Sequence, residues 1–181
     1  GGAGGRGKRF IIEEMELEGD TLRGIGAAVW AERVGDFFRT VRRDEYDRAA
    51  EFYDKAVACF DAVSVDARED PSGTGWGWDW SAEEILERCL TVVAKLATVL
   101  QEMPSPVGNG AGHSVRIKNL HRRYLTTSRA VTDEEHRAGS RRAEQLVLVQ
   151  QDLAWLYTAE SDHCNAEPLF RAVYVSLGKR W

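Results

Sequence analysis

Apolar residues recur along most of this chain at the three- and four-residue spacing of amphipathic helices. The most regular stretch has Ala49, Tyr53 and Phe60 on one side and charged residues on the other. No segment of useful length alternates with the period of a β-strand. The sequence therefore predicts an all-α protein of about six helices. They are expected over residues 20–43, 44–64, 81–103, 114–130 and 135–159, and from 165 onward.

Polar capping residues mark where several of these helices begin. Ser81 is followed three residues later by Glu84, which is the spacing of a capping box. Thr132–Glu135 is expected either to break the chain or to cap the next helix. Asn165 is expected to cap the last helix, with Pro168 tolerated in its first turn.

Glycines have two consequences in this pattern. Gly24, Gly26 and Gly35 each lower the stability of the first helix by roughly 1 kcal/mol relative to Ala, but they also allow a second helix to approach closely. The Gly- and Pro-rich residues 65–80 and 104–112 predict loops.

The expected organisation is a flexible tail over residues 1–19 and two helical units, over 20–131 and 132–181. Residues 1–5 are Gly-Gly-Ala-Gly-Gly, without an initiating Met. We therefore expect the chain to be a fragment of a longer protein.

Composition narrows the class of protein. The 181 residues carry a net charge of −5, which argues against nucleic acid as the main partner. Neither a membrane-spanning apolar run nor a signal peptide is visible, so we expect a cytoplasmic protein. Its three cysteines, Cys59, Cys89 and Cys164, are far apart in sequence and are expected to be reduced thiols.

Motifs for catalysis or cofactor binding are weak. Residues 2–8 match part of a phosphate-binding loop, but no strand precedes them and Arg9 stands where Ser or Thr would bind Mg²⁺. His163 and Cys164 form a lone dipeptide, which is too little for zinc. We therefore expect neither a metal nor a cofactor. Arg129 and His136, with His121, leave a helical ribonuclease as an alternative hypothesis.

Three tryptophans, Trp76, Trp78 and Trp80, lie within five residues of the predicted loop. This loop either folds back over a seam between helices or exposes an aromatic patch for a partner protein or a membrane surface.

The predicted helix over 114–130 has a basic face, which is either solvated or an electrostatic site for an acidic peptide or an anionic lipid. Its members are Arg116, Lys118, His121, Arg122 and Arg123.

Two segments resemble known helical modules. Residues 45–57, with Ala49, Tyr53 and Ala56, are similar to the second helix of a tetratricopeptide repeat, but no second copy follows at the period of that repeat. The same pattern occurs in MIT domains, which are three-helix bundles that bind short motifs of partner proteins. Residues 114–130 resemble the third helix of such domains.

More specifically, the layout resembles the C-terminal tandem MIT region of the Unc-51-like (ULK family) autophagy-initiating serine/threonine kinases. The similar segments are residues 16–38, 80–96, 114–130 and 164–173, in that order. The resemblance implies two packed MIT-like three-helix bundles, the second of them incomplete unless the helix over 44–64 completes it.

This resemblance implies protein docking and no catalysis within the chain. The implied partner is a HORMA-domain regulatory subunit that contributes a short helical or extended motif, with peripheral contact at the forming autophagosome membrane. We expect the partner to bind Arg116, Leu120, Arg123 and Tyr124 in the first unit, and Phe170, Val173 and Tyr174 in the second. Another MIT-like or tetratricopeptide-like scaffold subunit is the alternative.

Overall fold

The computed structural model describes residues 24–42, 44–69, 80–103 and 110–178. These residues form seven α-helices, and no strand occurs among them, so the predicted all-α class is confirmed. The predicted tail over 1–19 lies outside the described residues. In chain order the helices are α1 Ile25–Val41, α2 Tyr46–Glu69, α3 Ala82–Glu102, α4 Gly110–Thr127, α5 Asp133–Ala138, α6 Arg141–Ala159 and α7 His163–Gly178.

The described chain divides into two compact units, the first ending at Val99 and the second beginning at Leu100. In the first unit, α1 and α2 form a hairpin in which the rings of Phe38 and Phe52 stack with centroids 5.7 Å apart. Tyr53 is fully buried, and its ring lies against Gly35. The prediction that small residues allow close helix approach is confirmed at Gly35.

A buried charge network attaches α3 to this hairpin. The Glu32 carboxylate is wholly buried and accepts hydrogen bonds from Arg88 Nε and Lys95 Nζ, both at 2.7 Å. Lys95 Nζ also contacts both oxygens of Asp36, and the hydroxyl of Tyr53 donates to Asp36 Oδ1. A buried carboxylate with two cationic partners favours one alignment of α1 against α3.

Local capping sets the ends of several helices. At the start of α3, the backbone N–H of Glu84 donates to Ser81 Oγ and the Glu84 carboxylate accepts from the Ser81 backbone N–H. The predicted capping box is therefore confirmed. Thr132 and Glu135 form a second one at the start of α5.

The second unit contains α4 to α7 around a core of Leu153, Tyr157 and Ala166. The single helix expected over 135–159 is wrong. It is interrupted because Gly139 adopts a left-handed conformation (φ 64°) that ends α5, and Ser140 then caps α6 through the N–H of Ala143.

The division after Val99 differs from the predicted boundary between 131 and 132. The physical reason is that α4 packs on α6 within the second unit. Arg122 Nε donates to the Tyr157 hydroxyl at 2.7 Å, and Lys118 Nζ forms an ion pair with Glu160.

Candidate functional site

The turn after α6 reverses the chain, so that α7 runs antiparallel to α6 and packs against it. Ser161 has a positive φ of 61°, and the backbone N–H of Asp162 donates to the Tyr157 carbonyl oxygen. Asp162 caps α7 in place of the predicted Asn165, because the Asn165 backbone N–H donates to Asp162 Oδ1. Hydrogen bonding from the Asn165 side chain lowers the pKa of Asp162. Pro168 consequently lies beyond the first turn of α7.

The outer side of this hairpin carries large apolar side chains. Trp155 of α6 meets Phe170 of α7 edge to face, with ring centroids 5.2 Å apart. This contact sets the level of the antiparallel helices, so Leu148, seven residues before Trp155, lies near the level of Leu177. We call this feature the α6–α7 apolar surface. Its exposed members are Leu148, Trp155, Tyr174 and Leu177.

The last turns of α7 carry apolar residues on every side except at Ser176. Residues 172–177 are Ala-Val-Tyr-Val-Ser-Leu, of which only Val173 and Ser176 are buried. Tyr174 has 80% of its surface exposed, and Val175 has 50%. A helix with apolar residues all round is ordinarily covered on all sides. Within the described residues, nothing covers this side of α7.

The predicted partner-binding residues of α7 are placed differently from one another. Tyr174 is exposed, Phe170 is half-buried against Trp155, and Val173 belongs to the interior. A partner can therefore reach Tyr174 directly, and reaches only part of Phe170. The site assignment itself stays a prediction.

The predicted residues of α4 lie in the second unit as well. Arg116 is exposed, whereas Leu120 and Arg123 are half-buried. Tyr124 is only 3% exposed, and its hydroxyl donates to Gln145 Oε1 of α6. Tyr124 therefore serves the packing of α4 on α6, and a partner does not reach it without a change in that packing.

Several residues of the basic face of α4 are bonded or buried within the second unit. Lys118 pairs with Glu160, and hydrogen bonding from Lys118 is the main reason that the pKa of Glu160 is lowered. Arg122 is bonded to Tyr157, and His121 is buried. The electrostatic surface expected from the sequence is correspondingly smaller.

Of the three tryptophans of the predicted loop over 65–80, only Trp80 is among the described residues. Trp76 and Trp78 lie outside the described residues. Trp80 is half-buried and stacks on Phe60 of α2, with ring centroids 6.5 Å apart and planes 12° from parallel.

The three residues of the ribonuclease hypothesis, Arg129, His136 and His121, do not form an exposed site. His121 and His136 are both buried, and Arg129 forms an ion pair with Glu135 at 3.9 Å. A histidine that exchanges protons with a substrate must reach it. No group of three or more His, Cys, Asp or Glu side chains able to hold a metal occurs in the part of the chain that the structure describes.

A pocket of about 630 Å³ lies among α5, α6 and α7 of the second unit. Its lining includes the buried ring of His136 and the side chain of Gln150. His136 Nδ1 and Gln150 Oε1 are buried without a hydrogen-bond partner among the described residues. The pattern of apolar residues does not reveal this pocket, because the pocket depends on the break at Gly139 that separates α5 from α6.

The charge network of the first unit was also not anticipated. The spacing of its acidic residues along the sequence does carry a signal of the network. Glu32 and Asp36 continue the stripe of Ile25 and Val29 at the helical period, so two carboxylates stand where apolar residues are expected.

No helix in the described part of the chain combines the length and apolarity needed to cross a membrane. Comparison with protein-family models gives no match to this chain, and comparison with curated proteins gives none either.

Proposed function

We propose that this chain is a non-catalytic helical docking module that binds a short amphipathic helix of a partner protein on the α6–α7 apolar surface. The observation that carries the proposal is the exposure of Tyr174 and Leu177 of α7 together with Leu148 and Trp155 of α6.

The dimensions of the surface support a helical occupant. Leu148 and Trp155 are seven residues apart on α6, which corresponds to about 10 Å along the helix axis. An amphipathic helix with anchors at i, i+4 and i+7 covers the same distance. Beside it, Arg171 and Glu167 of α7 neutralise each other in an ion pair. The partner's contacts are therefore expected to be mainly apolar.

The most specific form of the proposal rests on the resemblance to the Unc-51-like kinases. In that form the chain is the C-terminal region of an autophagy-initiating kinase, the partner is a HORMA-domain regulatory subunit, and the complex acts at the surface of forming autophagosome membranes.

The test is to select short peptides from a display library on the purified chain and to measure their affinity by fluorescence anisotropy. Tyr174→Asp is expected to weaken binding at least tenfold, because it places a charge in an apolar contact. Val41→Asp is the matched control, since Val41 is a similarly exposed apolar residue of the first unit (62% exposed).

Equal binding to wild type and to Tyr174→Asp would overturn the proposal. So would sedimentation showing that two copies of the chain associate through this surface and that Tyr174→Asp separates them, because the surface would then be occupied by the chain itself.

A further inference from the structure

One carboxylate lies beside the exposed apolar residues of α6. Asp152 follows Leu148 by four residues and precedes Trp155 by three, so the three side chains are neighbours on one side of the helix. Leu148 and Trp155 are both more than half exposed, whereas Asp152 is half-buried. An acidic residue therefore borders the α6–α7 apolar surface.

The contacts of α6 define which border this is. At about 100° per residue, Asp152 lies roughly 60° around the helix from Trp155 and about 20° from Gln145. Trp155 contacts Phe170 of α7. Gln145 accepts a hydrogen bond from Tyr124 of α4. Asp152 therefore lies on the flank of the apolar surface that is turned away from α7 and toward α4.

The carboxylate of Asp152 has neither a hydrogen bond nor an ion pair within the residues that the structure describes. Burial raises the pKa of this group. Two basic residues of α4 that contact the end of α6 bind other groups there, Lys118 the carboxylate of Glu160 and Arg122 the hydroxyl of Tyr157. Because a partly buried carboxylate without a partner is costly, a compensating cation has to come from outside the described residues.

We propose that Asp152 selects the charge of the partner: it pairs with a lysine or arginine of the docked helix, next to the apolar residues that pack on Leu148 and Trp155. This inference rests on the proposed docking function. The basic residue takes the place beside the apolar stripe that e and g residues take beside the a and d residues of a coiled coil. An acidic residue at the same place is disfavoured by repulsion between like charges.

The probe is a display library of amphipathic helical peptides with a fixed apolar stripe at i, i+4 and i+7 and randomised flanking positions. It is selected in parallel on the purified wild-type chain and on Asp152→Asn, which keeps the shape of the side chain and removes its charge. Wild type is expected to enrich Lys or Arg, and to deplete Asp and Glu, at one flanking position. Asp152→Asn is expected to show no such preference.

The affinities of one selected peptide, measured by fluorescence anisotropy, then isolate the pair. Changing the basic residue of the peptide to Met is expected to weaken binding to wild type about threefold to tenfold and to leave binding to Asp152→Asn unchanged. Glu134→Gln is the matched control, because Glu134 is an exposed acid of α5 and its loss changes the net charge equally. In this control the basic residue is expected to contribute as it does in wild type.

Two results would overturn the inference. One is a basic residue that contributes as much to the binding of Asp152→Asn as to that of wild type. The other is an Asp152→Asn chain that unfolds at lower urea concentration than wild type, because the carboxylate would then already stabilise the folded chain. We expect the two chains to be equally stable.

Tyr174 separates this inference from the proposed function. If the selected peptides lose affinity for Tyr174→Asp but bind wild type and Asp152→Asn equally, the inference about charge is overturned and the docking function stands. If no peptide depends on Tyr174, the docking function is overturned and this inference with it.

Discussion

The ring of Tyr53 occupies the space in which a side chain on residue 35 would begin. A Cβ atom placed on Gly35 would lie 2.6 Å from Tyr53 Cε1, closer than two carbon atoms can approach. Because Tyr53 is fully buried and its hydroxyl is held by Asp36, the ring cannot move aside freely.

Gly35→Ala is therefore expected to lower the free energy of unfolding by roughly 1–2 kcal/mol, because overpacking outweighs the higher helix propensity of Ala. Urea unfolding followed by circular dichroism measures the change. In a Tyr53→Leu background the same substitution is expected to be neutral or stabilising, since the ring is gone. A Gly35→Ala variant as stable as wild type would contradict the close approach.

Glu32→Ala is expected to destabilise the first unit by about 3 kcal/mol, because it removes the wholly buried carboxylate that Arg88 and Lys95 share and leaves Lys95 only the partly exposed Asp36. Glu51→Ala is the matched control. Its partner Lys55 and Glu51 itself are each 54% exposed, so this pair contributes about 0.5 kcal/mol or less. Equal losses from the two substitutions would show that the Glu32 network adds nothing beyond a surface ion pair.

The buried His121 is expected to make the free energy of unfolding depend on pH. Burial lowers its pKa to about 4, whereas the unfolded chain has the ordinary value of 6.5. Between these values the unfolded state binds more protons than the folded state, so stability falls as pH falls from 6.5 to 4 and levels off below. The loss attributable to His121 is on the order of 3 kcal/mol.

His121→Leu is expected to remove that part of the pH dependence and to raise stability at pH 7. The substitution replaces two buried ring nitrogens, which have no hydrogen-bond partner among the described residues, by apolar atoms. Unfolding by urea at several pH values tests this, with the exposed His163→Gln as control for loss of a histidine. An unchanged slope in His121→Leu would refute the assignment.

The break between α5 and α6 depends on the left-handed conformation of Gly139. Gly139→Ala is expected to cost about 1–2 kcal/mol, since a Cβ is strained at this φ although the surrounding space is open. Gly139→Asn should cost less, because Asn tolerates this conformation better. Thermal unfolding of the three proteins gives the order; Ala and Asn variants of equal stability would argue against strain at this position.

The sequence was sufficient for the fold class and for the cap at Ser81, because both depend on local patterns, whereas the cap of α7 was placed at Asn165 instead of Asp162. The capping box at Ser81 follows from the identity of two side chains three residues apart. The break at Gly139 carried a similar local signal, a glycine followed by a capping serine, but the apolar stripe on either side of it favoured one continuous helix.

It is harder to predict from the sequence which helices pack on each other. An apolar stripe tells which side of α4 is buried and does not tell which helix covers it, so α4 was assigned to the first unit although Lys118 and Arg122 contact α6. For the same reason, Tyr174 and Val173 looked equivalent in sequence, and their different exposure follows only from the packed hairpin.

The Glu32 network also restricts how this chain can vary. Replacing Lys95 alone by an apolar residue would leave Glu32 with Arg88 as its cationic partner among the described residues, and replacing Glu32 alone would leave Lys95 with Asp36. Each single change is costly, whereas changing both positions to well-packed apolar residues is tolerable. Positions 32 and 95, 63 residues apart in the chain, are therefore expected to be substituted together or to remain as they are.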